Sequence, residues 1–130
     1  MGFSLFRTTM TFLICCFLIM LFLLPSAVLT QFSKDVNELI DAAETALLTD
    51  DLETAEQHCN VLNTLMREQM PVLERFLNHS NIDSLDAHFE IAAFSIRIGD
   101  SDTAAEALAE ARSVLKRIEG IELFSWNNLL

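Results

Sequence analysis

The sequence predicts an all-α protein, with an N-terminal transmembrane helix followed by a small antiparallel bundle of about four helices. Three observations predict it. A long uncharged apolar run occupies the start of the chain. After it, apolar residues recur at three- and four-residue intervals, and no stretch alternates as a strand does. Capping and helix-breaking residues cut this periodic part at short loops, so consecutive helices are expected to be antiparallel neighbours.

No charged residue lies between Thr8 and Ser33. The stretch TFLICCFLIMLFLLP, continuing into SAVLT, is long enough to cross a hydrocarbon layer as a helix. The chain divides into a short cytoplasmic N-terminus at 1–9, an anchor at 10–30, an exported acidic helical domain at 31–120 and an apolar C-terminal tail at 121–130. Arg7 before the run, with Lys34 and Asp35 after it, favours a cytoplasmic N-terminus and an extracytoplasmic remainder. A cleaved signal segment is the rival, and the protein is then secreted. Pro25-Ser26-Ala27 offers small residues but no A-x-A site, and the uncharged stretch exceeds a usual signal core. An uncleaved single-pass anchor in membrane lipid is favoured. What remains is one small domain with a modest core.

In FSKDVNELIDAAETALLTD, the residues Val36, Leu39, Ile40, Ala43 and Leu47 make the first soluble helix, open to continuity with the anchor. Asp50 is the expected N-cap of the next, with Glu53 in the capping-box position. There Leu52, Ala55, Cys59, Leu62, Leu65 and Met66 form the apolar stripe. Pro71 removes an amide, so a kink or a break into a short segment VLERFLNH is expected. Ser80 or Asn81 is the expected N-cap of the third helix, whose inward face is Ile82, Leu85, Phe89, Ala92, Ala93 and Ile96. Gly99-Asp100-Ser101 ends it and starts the fourth, where Ala104, Ala105, Leu108, Ala111, Val114, Leu115 and Ile118 recur. Gly120 is the expected C-cap, with IELFSWNNLL folding back as a tail. TDDLETAEQ resembles IGDSDTAAEA, aligning Asp50 with Asp100 and Ala55 with Ala105. Two helix starts using the same caps explain this better than a duplicated hairpin, because only two copies exist.

All 19 acidic residues follow the apolar run, against seven basic ones, a formal charge of −12 for that part. Such a surface repels phosphate backbones, so nucleic acid is not an expected partner. Cys15 and Cys16 lie in the apolar run, which leaves Cys59 alone in the domain and excludes an internal disulfide or a CxxC redox pair. No serine sits in GxSxG. The glycines Gly2, Gly99 and Gly120 are too scattered to cradle a phosphate. No catalytic, cofactor-binding or metal residue is assigned.

HSNIDSLDAHFE, residues 79–90, is the one stretch dense in acid–base groups. At about 100° per residue Asp83, Asp86 and Glu90 share a narrow face, while His88 points nearly opposite. His79 joins the acidic face only if the helix begins before Ser80. His79, Asp83 and Asp86 are therefore weak candidates for a polar site, without the HExxH or paired thiolates of a metal motif. A solvated helix edge is the favoured reading. His58 sits on the flank of the second helix with no evident partner. In the tail, Leu123, Phe124, Trp126, Leu129 and Leu130 carry large apolar area. They cover an open end of the bundle or contact a partner or the membrane surface.

The layout, with Asp50-Asp51 leading to Ala55, the His79–Asp83 region followed by Leu85 and Phe89, Ala105–Leu115 and the terminal Asn128-Leu129-Leu130, resembles the bacterial domain-of-unknown-function family 4363. The resemblance covers almost the whole chain. Similar proteins often carry tryptophan before the histidine loop, whereas PVLERFLNH here has Pro71, Leu73 and Phe76. The resemblance implies bacterial origin, from a Gram-positive lineage, and a membrane-associated location. It brings no activity, cofactor or catalytic residue.

The expected function is that of a membrane-anchored extracytoplasmic module, noncatalytic, acting through an unknown protein partner or as a homo-oligomer. The alternatives are a helical-repeat-like peptide-binding scaffold and, less favoured, a metal or small-ligand sensor built on the His79 region.

Overall fold

The computed structural model describes the backbone of residues 2–75 and 77–129, and the side chains among these except at 22, 25, 26 and 122–129. Four helices account for it: α1 (Gly2–Leu48), α2 (Leu52–Leu73), α3 (His79–Arg97) and α4 (Ser101–Leu129). The chain forms two compact units, Met1–Gln31 and Phe32–Leu130.

The first unit is helical throughout its described backbone. Gly2–Leu21 is apolar enough, with mean hydropathy 1.9, to serve as a membrane anchor or signal sequence, and none of it is buried. At 1.5 Å per residue, 20 residues span about 30 Å. Three threonine hydroxyls near its start are satisfied locally. Thr8, Thr9 and Thr11 donate to the carbonyls of Ser4, Leu5 and Arg7 at 2.9, 2.9 and 2.8 Å. This back-bonding removes the cost of placing an unpaired hydroxyl in an apolar medium.

The second unit is the packed bundle. Its core takes Val36, Ile40 and Ala43 from α1 and Ala55, Cys59, Leu62, Met66 and Leu73 from α2. From α3 it takes all six expected residues, Ile82 to Ile96, and from α4 Ala104, Leu108, Ala111, Val114, Leu115 and Ile118. Leu39, Leu47, Leu52 and Leu65 lie at its half-buried margin. Ala105 is exposed and Ala107 takes its place inside. α4 is tied to the C-terminal part of α1 by Arg112, whose Nη2 donates to Asp41 Oδ1 at 2.6 Å and Glu44 Oε2 at 3.0 Å. Because this cluster is only partly buried, Arg112→Met should lower unfolding stability by about 0.5–1 kcal/mol in a urea titration.

The two turns at one end of the bundle are built alike. After α1, Asp50 adopts φ +59°, and the Asp51 and Asp50 amides donate to Ala46 and Leu47 at 2.9 and 3.2 Å. After α3, Gly99 adopts φ +78°, and the Asp100 and Gly99 amides donate to Ser95 and Ile96 at 2.8 and 3.0 Å. Both are Schellman terminations in which a left-handed residue closes the helix. Each is followed at once by an aspartate N-cap. Asp51 accepts from the Thr54 amide and hydroxyl at 3.2 and 2.7 Å, and Asp100 from those of Thr103 at 3.1 and 2.6 Å.

The cap of α2 is thus Asp51 and not the expected Asp50, which the left-handed termination uses instead. The correspondence extends beyond the turns. Shifting by 49 positions, from Asp51 to Asp100, pairs Val36 with Leu85, Ile40 with Phe89, Ala43 with Ala92, Ala55 with Ala104, Cys59 with Leu108 and Met66 with Leu115, and every one is buried. The bundle is two hairpins of matching design, so the similarity reaches further than shared caps.

The caps also carry a pH dependence. Hydrogen bonds from Thr54 and Thr103 hold the Asp51 and Asp100 carboxyls below their ordinary value of 3.8. Their support is present above that unfolded value and is lost as pH falls through the lowered folded value.

Three other expectations change. Asn78, not Ser80 or Asn81, caps α3, its Oδ1 accepting from the Ser80 amide at 2.9 Å. Pro71 lies inside α2, which ends two residues later, and the chain then turns at Glu74 and Arg75 rather than forming a helical segment VLERFLNH. With no amide on Pro71, the Arg67 carbonyl loses its donor near an end where water reaches it. Gly120 does not cap α4: the backbone stays helical to Leu129, so the chain does not fold back at that glycine.

Candidate functional site

α3 packs against both α2 and α4, and polar groups line a groove on each of its flanks. On the α2 side a groove of about 580 Å³ is lined by Asn63, Arg67 and Met70 from α2 and Asp86, Glu90, Phe94 and Arg97 from α3. Its charges balance, two guanidinium groups against two carboxylates, on a domain that is otherwise strongly acidic. Among the described residues, the Asn63 Oδ1 atom is buried without a hydrogen-bond partner.

The helix start at Asn78 puts His79 on α3, in line with Asp83 and Asp86. The three do not converge. His79 Nδ1 lies 3.8 Å from Glu74 Oε1, just beyond the end of α2. Asp86 alone of the three faces the α2 groove. Burial raises its carboxyl above the ordinary 3.8, the Glu90 and Asp83 charges add to this, and Arg67 opposes it. A raised carboxyl disfavours the folded state once ionised, fully above the folded pKa and not at all below the unfolded value. Asp86→Asn should therefore raise the thermal midpoint at neutral pH by a few degrees at most, and the gain should vanish below about pH 4.

On the α4 side, His88 Nε2 lies 3.7 Å from Glu110 Oε2. The shallower groove there is lined by His88, Ile91, Thr103, Glu106, Ala107 and Glu110. His58 is half-buried on α2. Among the described residues no group of three or more His, Cys, Asp or Glu side chains is placed to hold a metal ion. Cys59 is fully buried, and desolvation, then the Glu56 charge, pushes its thiol up to about 11. A thiol so protonated is a poor nucleophile.

Between the two grooves, α3 presents a feature that the sequence reading did not single out. Ile91, Phe94 and Ile98 are 46, 58 and 62 % exposed. With Ala87 they form a line at spacings of four, three and four residues. At about 100° per residue this line is centred nearly opposite the buried face of Ile82, Leu85, Phe89 and Ile96. α3 is thus apolar on two opposite sides, one in the core and one in water. The signal was present in IAAFSIRI, where large apolar residues exceed what one face can hold. The tail residues Leu123, Phe124, Trp126, Leu129 and Leu130 fall outside the described side chains.

Residues 24–129 match the family described as a domain of unknown function (DUF4363). The chain belongs to that family. The match takes in the whole bundle, so the DUF4363 fold here is the pair of matching hairpins, and α3 with its two apolar sides is part of the DUF4363 domain rather than an appendage to it. No curated protein and no solved structure matches the chain.

Proposed function

We propose that this DUF4363 protein is a noncatalytic interaction or assembly module, held at the membrane by its N-terminal helix with the bundle on the extracytoplasmic side. If the apolar segment is cleaved, the same module is secreted. The observation that carries this reading is the exposed line of Ile91, Phe94 and Ile98 on α3. Apolar area of this kind, contiguous and rimmed by charge, is what protein contacts use. An anchor adds to it by raising local concentration, so a contact too weak for dilute solution becomes effective at a surface. The paired hairpins and the open α2–α3 groove support a second reading, a helical-repeat-like scaffold that takes an extended or helical peptide.

The test is photo-crosslinking in the native membrane from a reactive side chain placed at position 94, with products identified by mass spectrometry. Discrete protein adducts that disappear with Ile91→Asp are expected. Absence of any protein adduct from a folded, membrane-located chain would overturn the reading. Trp126→Ala, compared at equal abundance, separates a contribution of the tail: an unchanged partner set removes the tail from the contact.

A further inference from the structure

We infer that the outward face of α3 is a self-complementary docking surface, and that its partner is α3 of a second copy of this chain, running antiparallel across a twofold axis. This deepens the interaction reading above and rests on it.

The pattern of residues specifies the pairing. A twofold axis midway between Ile91 and Phe94 sets Ile91 against Phe94 of the second copy, and Ala87 against Ile98. Each layer then joins one larger and one smaller side chain, as interdigitating packing requires. In the same register Glu90, on one flank of the line, meets Arg97 of the second copy, and the axis makes that contact twice. Among the described residues neither Glu90 nor Arg97 belongs to an ion pair within its own chain. Arg97 bonds only weakly to its own helix, Nε to the Ala93 carbonyl at 3.5 Å. An isologous contact needs such a patch, in which each residue finds its complement in the other copy.

Charge also selects this face. Two copies of a domain with formal charge −12 repel one another over most of their surfaces. The α2–α3 groove, with Arg67 and Arg97 balancing Asp86 and Glu90, is the neutral ground on which they can approach. The exposed apolar area of the line alone is on the order of a few hundred Å² per copy, below the roughly 800 Å² of a standard interface. The grooves on either side of α3 add to the contact. A weak, reversible dimer is the expected strength, and confinement by the anchor strengthens it.

The test is sedimentation of the purified full-length chain in neutral detergent micelles, with two charge reversals at exposed positions. The wild-type chain should be in reversible monomer–dimer equilibrium. Glu90→Arg and Arg97→Glu should each raise the dimer dissociation constant about tenfold, since each turns two attractive contacts into repulsive ones. The double variant E90R/R97E should return it to within about threefold of wild type, because the contacts are re-formed with signs exchanged. Phe94→Asp should abolish the dimer while circular dichroism stays helical. Single reversals without effect, or a double variant that fails to recover, would overturn the pairing. A chain that stays monomeric at every concentration reached, yet crosslinks from position 94 to a different protein in native membranes, would overturn self-pairing and leave the interaction reading standing. Monomeric behaviour with no crosslink removes both.

Discussion

Replacing Phe89 by alanine is expected to cost about 3–5 kcal/mol of unfolding free energy. Phe89 is fully buried and heads the largest side chains of the core, and Ile40, at the equivalent position of the first hairpin, is also fully buried. Removal of the Phe89 ring forfeits transfer free energy and leaves a cavity that the surrounding core closes only in part. For a small domain, that is a large share of a total near 5–15 kcal/mol. The urea midpoint should fall sharply with little change in slope. Phe94, five residues along the same helix, is the internal control. It is mostly in water, and Phe94→Ala should change monomer stability by about 0.5 kcal/mol or less. Equal effects at the two positions would mean that α3 is rotated from the orientation described.

The second large effect concerns the backbone of the matching turns. Gly99 and Asp50 occupy the same left-handed position, at φ +78° and +59°. A Cβ at Gly99 would meet no atom within 4 Å, so any penalty for Gly99→Ala is conformational and not steric crowding by neighbours. It should destabilise by about 1–2 kcal/mol. Asp50 already bears that strain, and Asp50→Gly should stabilise by about 0.5–1 kcal/mol. Opposite signs at equivalent sites are the expected result of chemical denaturation. A loss at both would show that Asp50 makes a compensating contact.

The apolar part of the inward face of α3 was legible, because Ile82, Leu85, Phe89, Ala92, Ala93 and Ile96 follow helical spacing, whereas the buried Ser95 among them carries no apolar signal. The α3–α4 turn was legible because Gly99 and Asp100 divide the two tasks of termination and capping between residues suited to each. The α1–α2 turn was not. There two aspartates stand side by side, and composition cannot say which takes the left-handed position and which caps. Aligning the repeat on the wrong aspartate shifts it by one, pairing Ala55 with the exposed Ala105 instead of the buried Ala104.

Asn78 is not distinguished in the sequence because Ser80 and Asn81 follow so closely, and each has the same short oxygen to offer an amide. Gly120 has the composition of a stop, yet it lies within the continuing helix, where a glycine costs about 1 kcal/mol and does not compel an end. At the candidate site, helical spacing puts Asp83 near enough to Asp86 for its charge to act there, though only Asp86 lines the groove. The outward apolar line is hidden in the sequence because helical periodicity assigns each helix one apolar face. A helix with two exceeds that template, and the second is recognisable only once the first is known to be filled.

The buried thiol of Cys59 gives the molecule a built-in clock. A reagent that attacks thiolates can reach it only when α2 comes away from its neighbours, since the side chain is inaccessible and its proton is held up to about 11. With Cys15 and Cys16 replaced by serine, the rate of modification at Cys59 becomes the rate or the population of opening, according to reagent concentration. That single atom can time the breathing of the first hairpin under native conditions, where denaturant titrations do not reach.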